Sequence, residues 1–248
     1  MKVRKNILRM LLLMALSAGM MYCANPVSPT GGPVDETAPM VVESEPPNYS
    51  THFNRNRIII TFNEFVQLQQ PNQQVLISPP LRENPSYKIR GRSVVVDFNE
   101  ELQPNTTYSI FFGNAITDLT AGNPLGDYLF AFSTGDHIDS LAIGGEVLNA
   151  FNLQPQENVL VMLYPPDNDT VPRDSLPMLV RPLYVAKTNA AGVFQLRNLR
   201  NEPYKIFALN DMNSNYLYDL PNEEIAFIDS LIAPEVFEIP AHDTAVIH

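Results

Sequence analysis

The sequence predicts an all-β protein: two tandem antiparallel β-sandwiches that follow an N-terminal leader. Three observations support this fold class. Runs of β-branched and aromatic residues recur along the chain, Asn, Pro or Gly bounds each run, and no amphipathic helical pattern interrupts the series. Short strands with turn signals between them are typical of β-sandwiches, and 248 residues suffice for two domains.

Residues 1–22 have the features of a secretory signal peptide. Basic residues precede an apolar run over residues 10–16, and small residues follow that run. The run is too short to cross a bilayer, which takes about 20 apolar residues. We therefore expect the chain to be exported and this segment to be removed.

Cys23, the only cysteine of the chain, directly follows the leader. This arrangement resembles bacterial lipoproteins, which are cut just before a cysteine whose sulfur carries a diacylglycerol. The resemblance implies an outer-membrane lipoprotein of the cell envelope, anchored through acylated Cys23, on a membrane face that the sequence leaves open. Two or three acyl chains hold a protein stably at a bilayer. The alternative is an unmodified, buried cysteine; in either case a single cysteine excludes an intramolecular disulfide.

The part of the chain after the leader is strongly acidic. The leader holds four of the 16 basic residues and none of the 27 acidic ones, so the remainder has 12 basic against 27 acidic residues, a formal charge of −15. Such a charge disfavours nucleic acid and anionic lipid surfaces as partners. The acids are also unevenly placed, because eight Asp and Glu but no Lys or Arg follow Lys205.

The two sandwiches are predicted over residues 39–135 and 141–248, after a tether at 23–38 that combines Pro, Gly, Ser and Thr. Residues 135–140 break the strand pattern between them. Strands of the first sandwich are expected at 40–47 (an edge strand), 57–62, 74–78, 87–91, 93–98, 106–113 and 127–134. Strands of the second are expected at 143–150, 158–166, 181–189, 192–199, 203–211, 224–230 and 235–239.

The sequence contains no recognisable catalytic motif. Its four histidines, His52, His137, His242 and His248, are far apart and form no zinc-binding pair. There is no nucleophile elbow, no phosphate-binding loop and no second cysteine for nucleophilic attack. We therefore predict that the protein is not an enzyme, and Ca²⁺ is its single candidate cofactor.

The calcium hypothesis comes from residues 211–224. The five candidate ligands are Asp211, Asn213, Asn215, Asp219 and Glu223. The first four stand at positions 1, 3, 5 and 9, the order in which a calcium loop places its oxygen ligands, although Tyr216 stands where an EF-hand has Gly. The alternative is a hairpin tip whose Asp and Asn side chains bond to their own backbone. A cation or a basic partner would relieve the repulsion among the acids of this region.

Several stretches of the first half resemble a known family. They are "SPTGGP", "PPNYST", "ITFNEFV", "NTTYSIFFGNAITD", "GNPL" and "FSTGDHIDSL". From Cys23 to about Leu141 the chain is similar to lipoproteins of Bacteroidetes that begin with an S-layer-protein-type bacterial Ig-like domain. The resemblance implies a surface-exposed structural or binding module without catalytic residues.

The second half resembles the prealbumin-like, carboxypeptidase-regulatory-type β-sandwich. That family has a Gly-x-Phe turn and an Asn-Leu pair before a Tyr-x-Ile-x-Ala strand. The matching residues are Gly192, Phe194, Asn198, Leu199, Tyr204, Ile206 and Ala208. Proteins of this kind are often longer, which leaves open whether the second sandwich is complete at its C-terminus.

Five Asp residues are followed by Ser or Thr and then by an aliphatic residue or alanine, whereas a random order of the 13 Asp and 25 Ser or Thr would give about one Asp-Ser/Thr pair. The pattern resembles the O-glycosylation acceptor of exported Bacteroidetes proteins. The implied acceptors are Ser140, Thr170, Ser175, Ser230 and Thr244. The alternative is that Asp-Ser/Thr opens turns before strands.

These observations favour a lipid-anchored envelope module that presents loops or strand edges to a protein or polysaccharide partner. The candidate contact loops are residues 112–127 and 211–224. A second hypothesis is a glycan-handling surface lipoprotein, either a binder or an accessory to a hydrolase or transporter. The chain has ten Tyr but no Trp for the aromatic platform of a sugar site. A third hypothesis is a spacer without a ligand.

Overall fold

Runs of β-branched and aromatic residues form the strands. In the computed structural model, which describes residues 32, 34–166 and 171–236, strand β2 (Arg57–Phe62) buries Ile58, Ile60 and Phe62 and leaves the residues between them partly exposed. Successive side chains of a strand point to opposite faces of the sheet, so this alternation turns the apolar residues inward. The predicted all-β fold with two antiparallel sandwiches is confirmed.

Residues 41–133 form the nine strands of the first sandwich. They are β1 (Val41–Glu45), β2, β3 (Val66–Leu68), β4 (Leu76–Ser78), β5 (Ser86–Arg90), β6 (Ser93–Asp97), β7 (Thr107–Phe111), β8 (Ile116–Asp118) and β9 (Leu129–Ser133). One sheet has the order β1-β2-β6-β5, the other has the order β4-β7-β9, and β3 pairs with β8 alone. A one-turn helix, α1 (Pro71–Gln74), precedes β4.

Aromatic side chains form much of the core of the first sandwich. The ring of Phe132 lies 4.2 Å from that of Phe53 and 5.5 Å from that of Tyr108, measured between centroids. These rings pack with the buried aliphatic side chains of β2 and β6. Full burial of one such side chain contributes about 1.5–3 kcal/mol to folding, so this core is the main source of stability for the sandwich.

The second sandwich is built from the strands that follow residue 140. They are β10 (Leu141–Glu146), β11 (Leu160–Tyr164), β12 (Tyr184–Lys187), β13 (Val193–Leu199), β14 (Lys205–Leu209), β15 (Ile225–Phe227) and β16 (Glu235–Val236). One sheet has the order β13-β10-β16 and the other β12-β11-β14-β15. Before β12 lie a 3₁₀ turn (Arg173–Ser175) and a one-turn helix, α2 (Leu176–Leu179). In the described residues no sheet combines strands of both sandwiches.

The structure differs from the sequence-based expectation in its smallest elements. The pair β3–β8 and the helical turns over residues 173–179 were not expected, because three- and four-residue elements carry too little periodicity to be recognised. The edge strand expected at 40–47 is β1, which pairs with β2 alone. The strand expected at 235–239 begins as β16, and its last three residues lie outside the described part of the chain.

The chain divides into two compact units, residues 1–35 and 36–248, and both sandwiches lie in the second unit. Cys23, Thr170 and Thr244 lie outside the described residues, as does the leader at 1–22. Within the described ranges, no helix has the length and apolarity that a membrane crossing requires.

Candidate functional site

Strands β7 and β13 connect the two sandwiches. The Ser109 hydroxyl of β7 donates a hydrogen bond to Asn198 Oδ1 of β13 at 3.0 Å, and Asn198 Nδ2 donates to the backbone oxygen of Asp139 at 2.9 Å. Asn198 is buried and has φ of 60°, a left-handed conformation that Asn tolerates better than most residues. An irregular register between β10 and β13 at this point gives β13 a bulge, which re-aims the Asn198 side chain.

Three further hydrogen bonds cross the same interface. The N–H of Val185 donates to the Ser78 hydroxyl at 3.0 Å. The guanidinium of Arg181 donates to the backbone oxygen of Leu81, and that of Arg200 donates to the backbone oxygen of Asn105, both at 2.6 Å. Charge-assisted hydrogen bonds of this kind are about twice as strong as neutral ones.

An apolar cluster also spans the interface. Leu76 of β4 packs among buried side chains of β11, β12 and β14, including Leu160, Met162, Val185 and Phe207. The second sandwich therefore has two cores: one between its own sheets and one that it shares with the first sandwich. Because the shared core and the Ser109–Asn198 and Val185–Ser78 hydrogen bonds are buried, the two sandwiches hold one relative orientation.

The loop 211–224 is closed by its own polar side chains. The carboxylate of Asp211 accepts the N–H of Tyr216 at 2.9 Å and that of Asn215 at 3.3 Å. The carboxylate of Asp219 accepts the side-chain NH₂ groups of Asn213 at 3.1 Å and of Asn215 at 2.7 Å. The structure therefore brings the first four predicted calcium ligands into one network.

Glu223, the fifth predicted ligand, bonds to backbone N–H groups near both ends of the loop. Its side chain is buried, with 5% exposure, and its carboxylate accepts the N–H groups of Met212 at 3.1 Å and of Asp219 and Leu220 at 3.0 Å each. These backbone donors satisfy the carboxylate without a cation.

Tyr216 has φ of 67°, so it adopts the left-handed conformation that Gly supplies at this position of an EF-hand. The guanidinium of Arg181 lies 5.6 Å from the centre of its ring, and the ring packs against the shared core. This packing offsets the cost of a left-handed conformation at a bulky residue.

The network contains the side-chain-to-backbone hydrogen bonds that the Asx-turn alternative requires. It also brings together the residues that the calcium hypothesis names as ligands. Within the described ranges, no three or more His, Cys, Asp and Glu side chains come together as a metal site. Binding of Ca²⁺ by Asp211, Asn213, Asn215, Asp219 and Glu223 therefore stays a prediction.

The loop 112–127 is organised by one carboxylate. Asp118, at the end of β8, is buried, and its side chain accepts the backbone N–H groups of the four residues 120–123 at 2.5–3.1 Å. These bonds lower the pKa of Asp118, the bond from Ala121 being the largest cause, because each of them favours the charged carboxylate. Leu119, directly after it, is 57% exposed.

A polar cleft lies at the end of the first sandwich where β1 ends and β2 begins. Its volume is about 790 Å³, within the range of small-molecule sites. Its charged lining side chains are Glu45, Arg55, Arg57, Glu100 and Glu101. Glu45 pairs with Arg55, and Arg57 pairs with Asp97, so both cations are already neutralised.

The predicted glycan acceptors that the structure describes differ in accessibility. Ser140 and Ser230 are exposed, and Ser175 is half-buried in the 3₁₀ turn. All three precede strands or helical turns, which is compatible with both alternatives for the Asp-Ser/Thr pattern.

Sequence reasoning did not identify the residues that join the sandwiches. Asn198 matched a family motif, but its partner Ser109 lies 89 positions earlier, and no local pattern links two residues so far apart. The one signal was the position of Asn198, two residues after Leu196 and four after Phe194, where the period of the strand places a buried side chain.

One known family matches part of the chain. Residues 35–134 match the family described as the bacterial Ig-like domain, and this match supports an Ig-like β-sandwich, as the sequence predicted. No curated protein matches the chain.

Among solved structures, the chain is similar to the N-terminal part of the bacterial S-layer protein SbsC, with 13% identity, a TM-score of 0.29, and coverage of 78% of this chain and 45% of that one. The chain thus spans less than half the length of that fragment. It is also similar to an L,D-transpeptidase from Mycobacterium smegmatis, with 10% identity, a TM-score of 0.27, and coverage of 68% of this chain and 79% of that one. A third similar structure is the major pilin subunit of Bacillus cereus, with 10% identity, a TM-score of 0.20, and coverage of 83% of this chain and 67% of that one.

Proposed function

We propose that the protein is a lipid-anchored structural or interaction module of the cell envelope. It is held at the outer membrane through acylated Cys23, and it presents loops of its two sandwiches to an envelope protein or polysaccharide. The lipoprotein-like sequence at Cys23 and the Ig-like domain at residues 35–134 support this proposal. No catalytic step is assigned to the chain.

The fixed arrangement of the two sandwiches is the observation that carries the proposal. Asn198 bonds to Ser109 across the interface, and Leu76 lies in the shared core. The loops 112–127 and 211–224 are each closed by carboxylates that accept backbone N–H groups. A surface that is already ordered loses less conformational entropy on binding, so these loops are suited to contact a partner.

Cross-linking in intact cells tests the presentation of loops. A photoreactive residue is placed at Leu119 or at Met212, each 57% exposed, and at Lys88 on the outer face of β5 as the control. We expect a defined adduct from at least one loop position and none from Lys88. Equal adducts at all three positions, or none at any of them, would favour the spacer hypothesis.

The anchor is tested separately. Labelled palmitate should enter the native protein and not the Cys23→Ala variant, and only the native protein should fractionate with membranes. If the two proteins fractionate identically, the anchor proposal is wrong.

The polar cleft favours a second candidate function, the handling of glycans. Asn54 and Asn56 line the cleft together with charges of both signs, a mixture that suits a hydroxyl-rich ligand better than an apolar one. Pull-down of the native protein with envelope polysaccharide tests this function. If the double variant Asn54→Ala, Asn56→Ala still binds the polysaccharide, the cleft is not the binding site.

A further inference from the structure

We propose that the end of the first sandwich where the chain enters from Cys23 lies directly against the lipid bilayer. We name it the tether end and define it by Met40, Phe65, Arg90, Arg92 and Leu119. The occupant of this surface is a bilayer with zwitterionic phospholipid headgroups. The inference rests on the lipid anchor proposed above, and it assigns the tip of the loop 112–127 to the bilayer, so that the loop 211–224 is the one left to contact an envelope protein or polysaccharide.

Hydrogen bonds place these residues at one end of the sandwich. The N–H of Asn63, just after β2, donates to the oxygen of Met40, just before β1, at 3.0 Å. The guanidinium of Arg92, in the turn between β5 and β6, donates to the oxygen of Asn63 at 2.9 Å. The N–H of Leu119, just after β8, donates to the oxygen of Phe65, just before β3, at 3.0 Å.

Three large apolar side chains are exposed at this end. Met40 is 61% exposed, Phe65 58% and Leu119 57%. Val66 pairs with Asp118 in the β3–β8 ladder, so Phe65 stands opposite Leu119 and their side chains lie on the same face. A group of exposed apolar side chains at one end of a domain is typical of an interaction surface.

The backbone beneath this surface is held in place. The Asp118 carboxylate accepts four consecutive N–H groups directly after Leu119, and Asn123 Nδ2 donates to the backbone oxygen of Thr37 at 3.2 Å. The chain that arrives from the anchor is thus bonded to the same loop that carries Leu119. Little ordering is needed before this loop contacts a surface.

The charge at the tether end differs from that of the remainder of the chain. Arg90 and Arg92 are both exposed, and the nearby acids along the chain are Glu64, next to Phe65, and Glu36, next to Thr37, so the tether end is close to neutral. Residues 211–236, by contrast, hold six acids and no basic residue. Arg side chains next to apolar ones suit the phosphate and acyl regions of a bilayer, whereas the charge of −15 on the chain after residue 22 opposes anionic lipid. A zwitterionic bilayer offers phosphate and acyl groups to the Arg and apolar side chains, and it lacks the net negative charge that would repel the acidic chain.

The length of the intervening chain keeps this surface near the bilayer. Thirteen peptide steps separate Cys23 from Glu36, which corresponds to at most about 45 Å of fully extended chain. With the sulfur anchored, the tether end stays within about 45 Å of the lipid. Such confinement raises the effective concentration so far that even weak apolar contacts keep the surface docked.

The absence of Trp from the sequence permits a direct test. The Phe65→Trp variant of the full chain is reconstituted through its own anchor into phosphatidylcholine–phosphatidylethanolamine vesicles, with and without brominated acyl chains. Asn54→Trp is the control, because Asn54 lies beyond the opposite end of β2, about 20 Å away along that strand. We expect bromolipid to quench the fluorescence of the Phe65→Trp variant at least twofold more than that of the Asn54→Trp variant. Equal quenching in the two variants would overturn the proposal.

Two further variants separate docking from anchoring. The double substitution Arg90→Glu, Arg92→Glu in the Phe65→Trp background should reduce quenching by bromolipid at least twofold. Its melting temperature should stay within a few degrees of that of the Phe65→Trp variant. Undiminished quenching would contradict the role of these two cations. Vesicle flotation of Cys23→Ala reports the anchor independently. If the native chain floats and the Phe65→Trp variant is not quenched, docking alone is wrong; if Cys23→Ala floats equally well, the anchor is wrong.

Discussion

The hydroxyl of Ser109 in the first sandwich donates a hydrogen bond to Asn198 in the second, at 3.0 Å, and both residues are buried. The same Asn198 donates to the backbone oxygen of Asp139, in the segment between the sandwiches. One side chain therefore bonds to both the first sandwich and the connection between the two.

We expect Asn198→Ala to lower the free energy of unfolding by about 3 kcal/mol, because one buried and one partly buried hydrogen bond are lost and alanine is strained at a φ of 60°. Ser109→Ala, which removes one hydroxyl, should cost about 1 kcal/mol. Urea denaturation of both variants and of the double variant measures the coupling between the residues. Additive effects would contradict a direct bond.

Gly192 and Gly122 allow a steric effect to be separated from a conformational one. Both have positive φ, of 74° and 82°, but a Cβ at Gly192 would lie 2.7 Å from the oxygen of Val147, whereas at Gly122 it would meet nothing within 4 Å. Ala at Gly122 should therefore cost about 1 kcal/mol from the backbone alone, and at Gly192 at least about 2 kcal/mol more. If the two Ala variants lose similar amounts of stability in thermal unfolding, the backbone around Val147 moves to make room for the added Cβ.

The calcium hypothesis for the loop 211–224 predicts that millimolar Ca²⁺ raises the melting temperature and that a chelator lowers it, since a ligand of the folded state stabilises that state. Asp219→Asn should abolish the effect, with Asp127→Asn as an exposed control. An unchanged melting temperature in Ca²⁺ would leave the Asx-turn alternative.

Glu223→Ala should destabilise the protein whether or not Ca²⁺ binds. Its buried carboxylate accepts three backbone N–H groups. Each hydrogen bond to a charged group contributes about 1.5–3 kcal/mol to stability, and in the Ala variant water bonds to some of the N–H groups that the carboxylate leaves. We expect a loss of about 2–4 kcal/mol in urea denaturation. Glu224→Ala, at the exposed neighbouring position, should change stability by less than about 0.5 kcal/mol.

Asp118 gives the stability a defined dependence on pH. Its pKa is lowered in the folded state, chiefly by the N–H of Ala121, so its contribution is complete above the unfolded pKa of about 4 and is lost as the pH falls through the folded value. Asp118→Asn should therefore lower the melting temperature at neutral pH, and the difference from the native protein should shrink below about pH 4. A difference that is constant between pH 7 and pH 3 would contradict this assignment.

The sequence was most informative where side chains alternate over five or more residues. β2 and β6 were predicted to within one residue, because each contains three consecutive β-branched residues and is bounded by Asn or Gly. The pair β3–β8 was missed because each strand has three residues, and Val66 and Ile116 alone cannot define a period.

The candidate site was only partly predictable for a different reason. Residues 211–224 were found because all their polar partners lie within a few positions of one another. The interface was not found, because Leu76 reads as an ordinary core residue of its own strand, and nothing in the sequence indicates that its neighbours come from β11, β12 and β14.

The shared core around Leu76 also has a mechanical consequence. Force applied to the loop 211–224 reaches β4 and β7 through side chains that pack across the interface, as well as through residues 135–140. The connecting segment therefore does not carry the tension alone, and part of the load falls directly on the strands of the first sandwich.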